Sequence, residues 1–285
     1  MNALLVATDQ QDGAARIIVM EDVRSKAFLV DHISRIASSF EAAGVVDPTG
    51  GFHNQLRDDG SNYDRDLKHV VGTARFVYVY GVFATNEPDA AKAAAHRAAM
   101  RHGLGFLRHT HIVRDGVTGC PIALDWTLQR RRCGGDDDRF EEADGSQYTY
   151  AVAFCILALA SALTVGLGGD DAKALEIAIR TDLELLWNWA ETRFYDAAGQ
   201  LYVDQFTSRD ATAPTAYRGQ NCNMHMCEAL LFAHRACPDE TKYLRRSYGI
   251  AKRITKDLAI DERCGVLLCT VTYYANLAHS LTRSP

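Results

Sequence analysis

The stretch YRGQNCNMHMCEALL, from Tyr217 to Leu231, sets polar side chains at helical spacing in an otherwise apolar segment. With Asn221 or Asn223 as N-cap, a short amide accepts from the exposed N–H groups of the first turn, and the helix runs on through LFAHRAC to Cys237. His225 then falls in or near the first turn, where the positive end of the helix dipole favours a neutral imidazole that can accept a proton. Asn221 and Glu228 lie on its side, at i−4 and i+3. Met224, Cys227, Leu230 and Leu231 form the opposite, apolar stripe, so the helix is expected to pack on one side and line a cavity on the other. An isolated histidine is more often a satisfied, partly buried residue. The flanking amides and the Arg-Gly-Gln lead-in favour a functional one.

Outward from this helix, amphipathic or apolar helical patterns recur at about 24–41, 68–85, 89–108, 148–166, 171–192, 222–236 and 239–258. Runs of alternating strand residues are few, so the chain reads as all-α. Short connections, such as Thr85 to Asp89 and Gly166 to Asp171, alternate with long Gly- and Asp-rich ones, Asp47 to Asp66, His109 to Gln147 and Phe194 to Gln220. This is the spacing of helical hairpins. Stacked side by side, hairpins put the short turns at one end and the long loops at the other, where a ligand site would be built. The loop from Gln129 to Gln147 carries Arg130-Arg131-Arg132 and then Asp136-Asp137-Asp138, and reads as a solvated excursion.

Arg75, in DLKHVVGTARFVYVYGVFA, is the second polar residue that stands out. Its helical neighbours Val71, Tyr78 and Val79 are apolar, so the guanidinium is expected either to pair with a carboxylate from another helix or to clamp the oxygens of a bound substrate, because an uncompensated buried charge costs several kcal/mol. Cys222, His225 and Glu228 invite a metal reading, but residues i and i+6 diverge by about 120° around a helix, so the three do not easily meet one ion. His102, His109 and His111 cluster at a helix end and read as imidazolium groups stabilising a C-terminus. There is no G-x-G-x-x-G opening a helix, no P-loop, no H-E-x-x-H and no G-x-S-x-G, which leaves nucleotide, zinc-protease and serine-hydrolase chemistry without support.

The bulk numbers fit an ordinary soluble globular protein of 285 residues, with 47% hydrophobic and 24% charged residues. A net charge of −5 gives no general attraction to nucleic acid or anionic membranes. Neither a signal peptide nor a membrane span fits the N-terminus, and a cytoplasmic location is expected. The eight cysteines form no C-x-x-C pair and read as reduced thiols, with Cys155 a small core hydrophobe. Phe52, Tyr63, Trp126, Phe194, Tyr195, Tyr202 and Tyr217 collect near the long loops, and aromatic faces beside amides and hydroxyls are what sugar rings need.

These residues resemble a known family. RGQNCNMHMCEALL is similar to the asparagine-methionine-histidine and glutamate-alanine motif of the N-acylglucosamine 2-epimerase superfamily, most of all its mannose isomerase branch. GGFHNQLRDDG at 50–60, DLKHVVGTARFVY at 66–78 and YTYAVAFCILALASAL at 148–163 follow the family order, and the resemblance covers about 24–258. It implies an (α/α)6 barrel, of which this chain would supply about seven or eight of twelve helices. It also implies interconversion of free sugars by proton transfer next to the carbonyl, without metal or cofactor, with a small sugar as the partner. On this resemblance His225 and Arg75 are catalytic, and Asn221 and Trp126 bind substrate. Trp126 falls near the family's Gly-Gly-aromatic-Trp segment, from which Gly119-Cys120-Pro121 departs.

The resemblance weakens toward the end of the chain. Two later functional blocks of the family, a glycine-histidine block followed by glutamate-tryptophan and a final barrel histidine, have no counterpart, and His279 is the one histidine left beyond that point. The expected organisation is a single partial barrel over 1–285, with residues 1–23 an N-terminal extension and 262–285 an atypical tail that reads as truncated or frame-altered. Two ring faces would then lack neighbours, each exposing about five apolar side chains worth roughly 1.5–3 kcal/mol apiece. Marginal stability or homo-oligomerisation is the expected consequence. The expected activity is mannose–fructose isomerisation, impaired by the missing helices. The alternatives are epimerisation of N-acylglucosamine or cellobiose at C2, a non-catalytic sugar-binding remnant, and a glycoside hydrolase using Asp64, Asp66 or Asp125.

Overall fold

The computed structural model describes residues 5–8, 15–18, 23, 25–119, 121–125, 127–133, 137–142 and 145–258. Seven α-helices carry these residues: α1 (Lys26–Ala42), α2 (Val70–Asn86), α3 (Ala90–Phe106), α4 (Thr149–Val165), α5 (Ala172–Arg193), α6 (Gln220–Ala236) and α7 (Thr241–Lys252). Each falls on one of the helical patterns in the sequence. Local chemistry sets several of the ends. Ser25 accepts from Phe28 N at 3.1 Å to cap α1, and Asp89 accepts from Ala91 N and Lys92 N at 2.9 Å to cap α3. Gly166 stops α4 at a φ of +82°, a conformation that a side chain would strain.

The helices form two layers. Helices α2, α4 and α6 stand side by side as an inner row, while α3, α5 and α7 each pack outside the helix that precedes them. Helix α4 is the centre of the row, because thirteen of its seventeen residues, TYAVAFCILALASALTV, are buried and it meets α2, α5 and α6. Cys155 is fully buried in it, as the sequence indicates. The hairpins close tightly. A Cβ on Gly103 of α3 would lie 2.2 Å from the Phe52 ring and 3.0 Å from Val77 of α2.

The long connections are not plain loops, as an all-α reading of the sequence would have them. Short antiparallel ribbons run through them, in sheets too small to give a strand signal in the sequence. Strands β1 (Leu5–Thr8) and β2 (Ala15–Ile18) pair near the N-terminus, and β3 (Leu67–His69) leads into α2. After a π-helical turn at Leu107–His111, β4 (Ile112–Arg114) pairs with β5 (Pro121–Leu124). Strands β6 (Thr127–Cys133) and β7 (Asp137–Glu142) form a hairpin that joins β3 through Leu67↔Gln129 and His69↔Thr127. The segment read as a solvated Arg/Asp excursion is therefore a ribbon. It is anchored by Phe140 edge-on to Phe106 at 5.4 Å and by Arg130 at 3.4 Å from the buried Asp47. Strands β8 (Gln147–Tyr148) and β11 (Gln205–Phe206) pair across the entrance to α4, and β9 (Tyr195–Asp196) pairs with β10 (Leu201–Tyr202).

Helix α1 meets the rest through its last turn, with Phe40 edge-on to Phe76 and Glu41 at 3.2 Å from His96. Its side chains Leu29, Val30, Ile33, Ile36 and Phe40 remain 38–53% exposed. No described helix is long and apolar enough to cross a membrane.

Candidate active site

The inner helices run parallel, each entered from a long connection and left by a short turn, so α2, α4 and α6 all begin at the loop end. Arg75, Phe154 and His225 are each the sixth residue of their helix, and therefore sit at one depth below that end. They meet. The Arg75 guanidinium lies over the Phe154 ring at 4.7 Å and donates to Tyr150 Oη at 3.1 Å. His225 stands edge-on to Tyr150 at 5.1 Å and tilted against Phe154 at 4.8 Å. On its own helix, Nδ1 of His225 is 3.0 Å from Glu228 Oε2.

Two local readings change here. Helix α6 starts at Gln220 with Gly219 as N-cap, not at Asn221 or Asn223. The chain can make that cap because the Gly219 N–H reaches Asp204 Oδ1 at 3.2 Å, where a Cβ would sit 2.5 Å from the same oxygen. His225 is consequently in the second turn, beyond the reach of the dipole that acts on the first. Its chemical partner is the Glu228 carboxylate. The packed stripe is also rotated. Cys222, Asn223, Met226, Cys227, Ala229, Leu230 and Ala233 are buried, because α6 is wedged between α4 and α7, whereas Met224 and Leu231 are only half-buried.

The two asparagines have different roles. Asn223 is fully buried and holds the β10 backbone, while Asn221, one turn above His225, is exposed. Arg75 is exposed too, and its partners are a phenol and an aromatic face rather than the carboxylate expected of a buried guanidinium. The physical reason is its place on the open side of the inner row. Trp126 and His279 lie outside the described residues. Cys222 turns away from His225 and donates to Gly219 O at 3.3 Å.

Several other sequence expectations are overturned by burial. His111 is fully buried, with Nδ1 2.8 Å from Asp125 O and Nε2 3.3 Å from Thr73 Oγ1. Desolvation brings its imidazole down to about 4, so it is a neutral bridge between α2 and the β5 end, not an imidazolium at a helix terminus. His102 is likewise bonded to Gly51 O at 3.1 Å. Phe52, Phe194 and Tyr202 are fully buried and cannot stack on a sugar, although Tyr63 and Tyr217 are exposed. Of the carboxylates considered for hydrolysis, Asp64 accepts from Asp66 N and Leu67 N at 2.8 and 3.2 Å, and Asp125 is ion-paired with Arg209. Both are occupied in holding loops.

Tyr150 and Phe154 join the candidate site without having been singled out by the sequence. Their signal was faint. In YTYAVAF a tyrosine and a phenylalanine four apart look like ordinary core, and only the packing of α4 between α2 and α6 brings them between Arg75 and His225. Chemically the group can bind sugar oxygens through Arg75, Tyr150 and Asn221 and move a proton through His225.

Comparison with known proteins agrees with this architecture. Residues 50–267 match the N-acylglucosamine 2-epimerase (GlcNAc 2-epimerase) family model. A D-mannose isomerase of Marinomonas mediterranea is 35% identical over 237 residues, 82% of this chain and 52% of that protein. A crystal structure of a D-mannose isomerase superposes with a TM-score of 0.67 at 32% identity, over 85% of this chain and 55% of the other. The cellobiose 2-epimerase of Spirochaeta thermophila shares the fold, with a TM-score of 0.58 at 19% identity over 81% of this chain and 55% of that one. The chain thus spans about half the length of these relatives, and the seven helices among its described residues form part of an (α/α)6 barrel. From the motif around His225, the helical order and the family match, the chain belongs to the N-acylglucosamine 2-epimerase family.

Proposed function

We propose that this chain carries one wall of a sugar isomerase site, and that its reaction is the interconversion of mannose and fructose by proton transfer through side chains. The observation that carries the proposal is the meeting of Arg75, Tyr150 and His225 at one depth on three adjacent inner helices. The 35% identity to a D-mannose isomerase favours mannose over N-acylated or disaccharide substrates. In this reading Arg75 and Asn221 hold sugar oxygens. His225 takes the C2 proton of the open-chain aldose, the C–H electron pair becomes a C1–C2 double bond, and negative charge collects on O1 beside the guanidinium. Transfer of the O2 proton to O1 and return of a proton to C1 then give the ketose. Return to C2 from the opposite face would give the epimer instead.

Because the chain spans about half of its relatives, turnover by this chain alone is part of the proposal. Proton NMR of the protein with mannose in deuterium oxide tests it, through loss of the C2 proton signal and appearance of fructose. The expected result is exchange above a His225→Ala control. A folded protein with no exchange would refute catalysis and leave a sugar-binding wall, to be checked by titration with mannose.

A further inference from the structure

Deeper along the inner row, α2 and α6 make a second aromatic contact across α4. Tyr78 lies one turn below Arg75 on α2, and Phe232 lies two turns below His225 on α6, each on the helical face of the residue above it. Their ring centroids are 5.8 Å apart, with the planes at 80°. The two helices flank α4, so the rings meet by reaching over it. Small side chains leave room for this: one and two turns below Phe154, α4 carries Ala158 and Ser161, both buried. At 1.5 Å of rise per residue the contact starts about 5 Å below Arg75 on α2 and about 10 Å below His225 on α6. Both rings are only half-buried, and among the described residues the Tyr78 hydroxyl has no hydrogen-bond partner. Packing alone would not need that hydroxyl.

We propose that Tyr78 and Phe232 form the floor of the sugar site and fix its depth at a single monosaccharide. This rests on the reading of Arg75 and His225 as residues of a sugar site. The Phe232 ring supports C–H groups of the sugar, and the Tyr78 hydroxyl exchanges a hydrogen bond with a sugar oxygen, from below, where Arg75 and Asn221 do not reach. Neither residue carries the proton that moves. Both act on affinity and on the depth at which the sugar stops.

The test is a mannose titration of the full chain followed by proton NMR, with nuclear Overhauser contacts recorded between sugar and aromatic protons, in the wild type, Tyr78→Phe, Phe232→Leu and Val82→Ala. Mannose C–H protons are expected to contact the Phe232 ring in the wild type. Tyr78→Phe keeps the ring and the fold, loses the hydroxyl, and is expected to raise the Kd about 3- to 10-fold. Phe232→Leu is expected to raise it by about 5- to 10-fold and to remove the ring contact. Val82, one turn below Tyr78 and 39% exposed, lies beyond the floor, so Val82→Ala is expected to leave the Kd unchanged. The proposal alone is overturned if mannose binds and contacts Tyr150 but neither floor ring, if Tyr78→Phe and Phe232→Leu both stay within about twofold of the wild-type Kd, or if Val82→Ala weakens binding as much as they do. A folded wild type that binds no mannose overturns the sugar-site reading and the floor with it.

Discussion

Asn223 and Tyr202 bond each other in both directions: the Tyr202 N–H donates to Asn223 Oδ1 at 2.8 Å, and Asn223 Nδ2 donates to Tyr202 O at 2.9 Å. The pair is fully buried and ties the loop before α6 to the helix that carries His225. Asn223 Nδ2 also reaches Gly219 O, so one amide side chain sets both the start of α6 and the position of β10.

Asn223→Ala is therefore expected to destabilise the chain by about 3 kcal/mol, since it leaves buried backbone groups without partners. Asn221→Ala, on the exposed side of the same helix, is expected to change stability by less than about 0.5 kcal/mol and to weaken sugar binding instead. Urea unfolding of the two variants, with mannose titration of each, separates these roles. Equal destabilisation by both substitutions would refute the assignment.

Arg75→Lys keeps the charge and loses the planar stack on Phe154 together with the geometry of the bond to Tyr150. Because Arg75 is exposed, the folding cost should stay near 1 kcal/mol or below. Its expected effect is a rise in the Kd for mannose at nearly constant melting temperature. Unchanged mannose binding would remove Arg75 from the proposed clamp.

The His111 imidazole ordinarily titrates near 6.5 and is brought down to about 4 by burial. Between those values the unfolded chain binds a proton that the folded chain does not, so stability falls as pH drops from 6.5 toward 4. The loss attributable to this group is at most about 3 kcal/mol. His53 and His69, also held down by burial, act in the same direction. Burial alone would raise the Asp47 carboxyl, but the Lys68 ammonium at 2.6 Å and Thr49 hold it at about 2, so its contribution is lost only further down, as pH falls from 3.8 through 2. Urea unfolding at several pH values should show a shallower slope between 6.5 and 4 in His111→Gln than in the wild type, whatever its baseline stability. An unchanged slope would show that His111 is not the group responsible.

The amino-acid sequence alone determined the helical architecture, because hydrophobic periodicity and end signals are local. The apolar pattern at 148–166 marked α4, the pattern from Asp89 marked α3, and the polar face around His225 marked the helix of the candidate site. The alternation of short turns and long connections pointed to the loop end, where Arg75, Tyr150 and His225 meet. What the sequence could not supply were the relations between helices. Which asparagine faces the core depends on the rotation of α6 between α4 and α7, a matter of about 100° per residue that the packing of its neighbours decides. The tertiary structure alone brought Tyr150 and Phe154 between Arg75 and His225, buried His111 as a neutral bridge, and drew Arg130 and Phe140 onto the body of the protein. Each of these contacts joins residues from separate elements, whose proximity depends on three-dimensional packing rather than on the spacing between them in the chain.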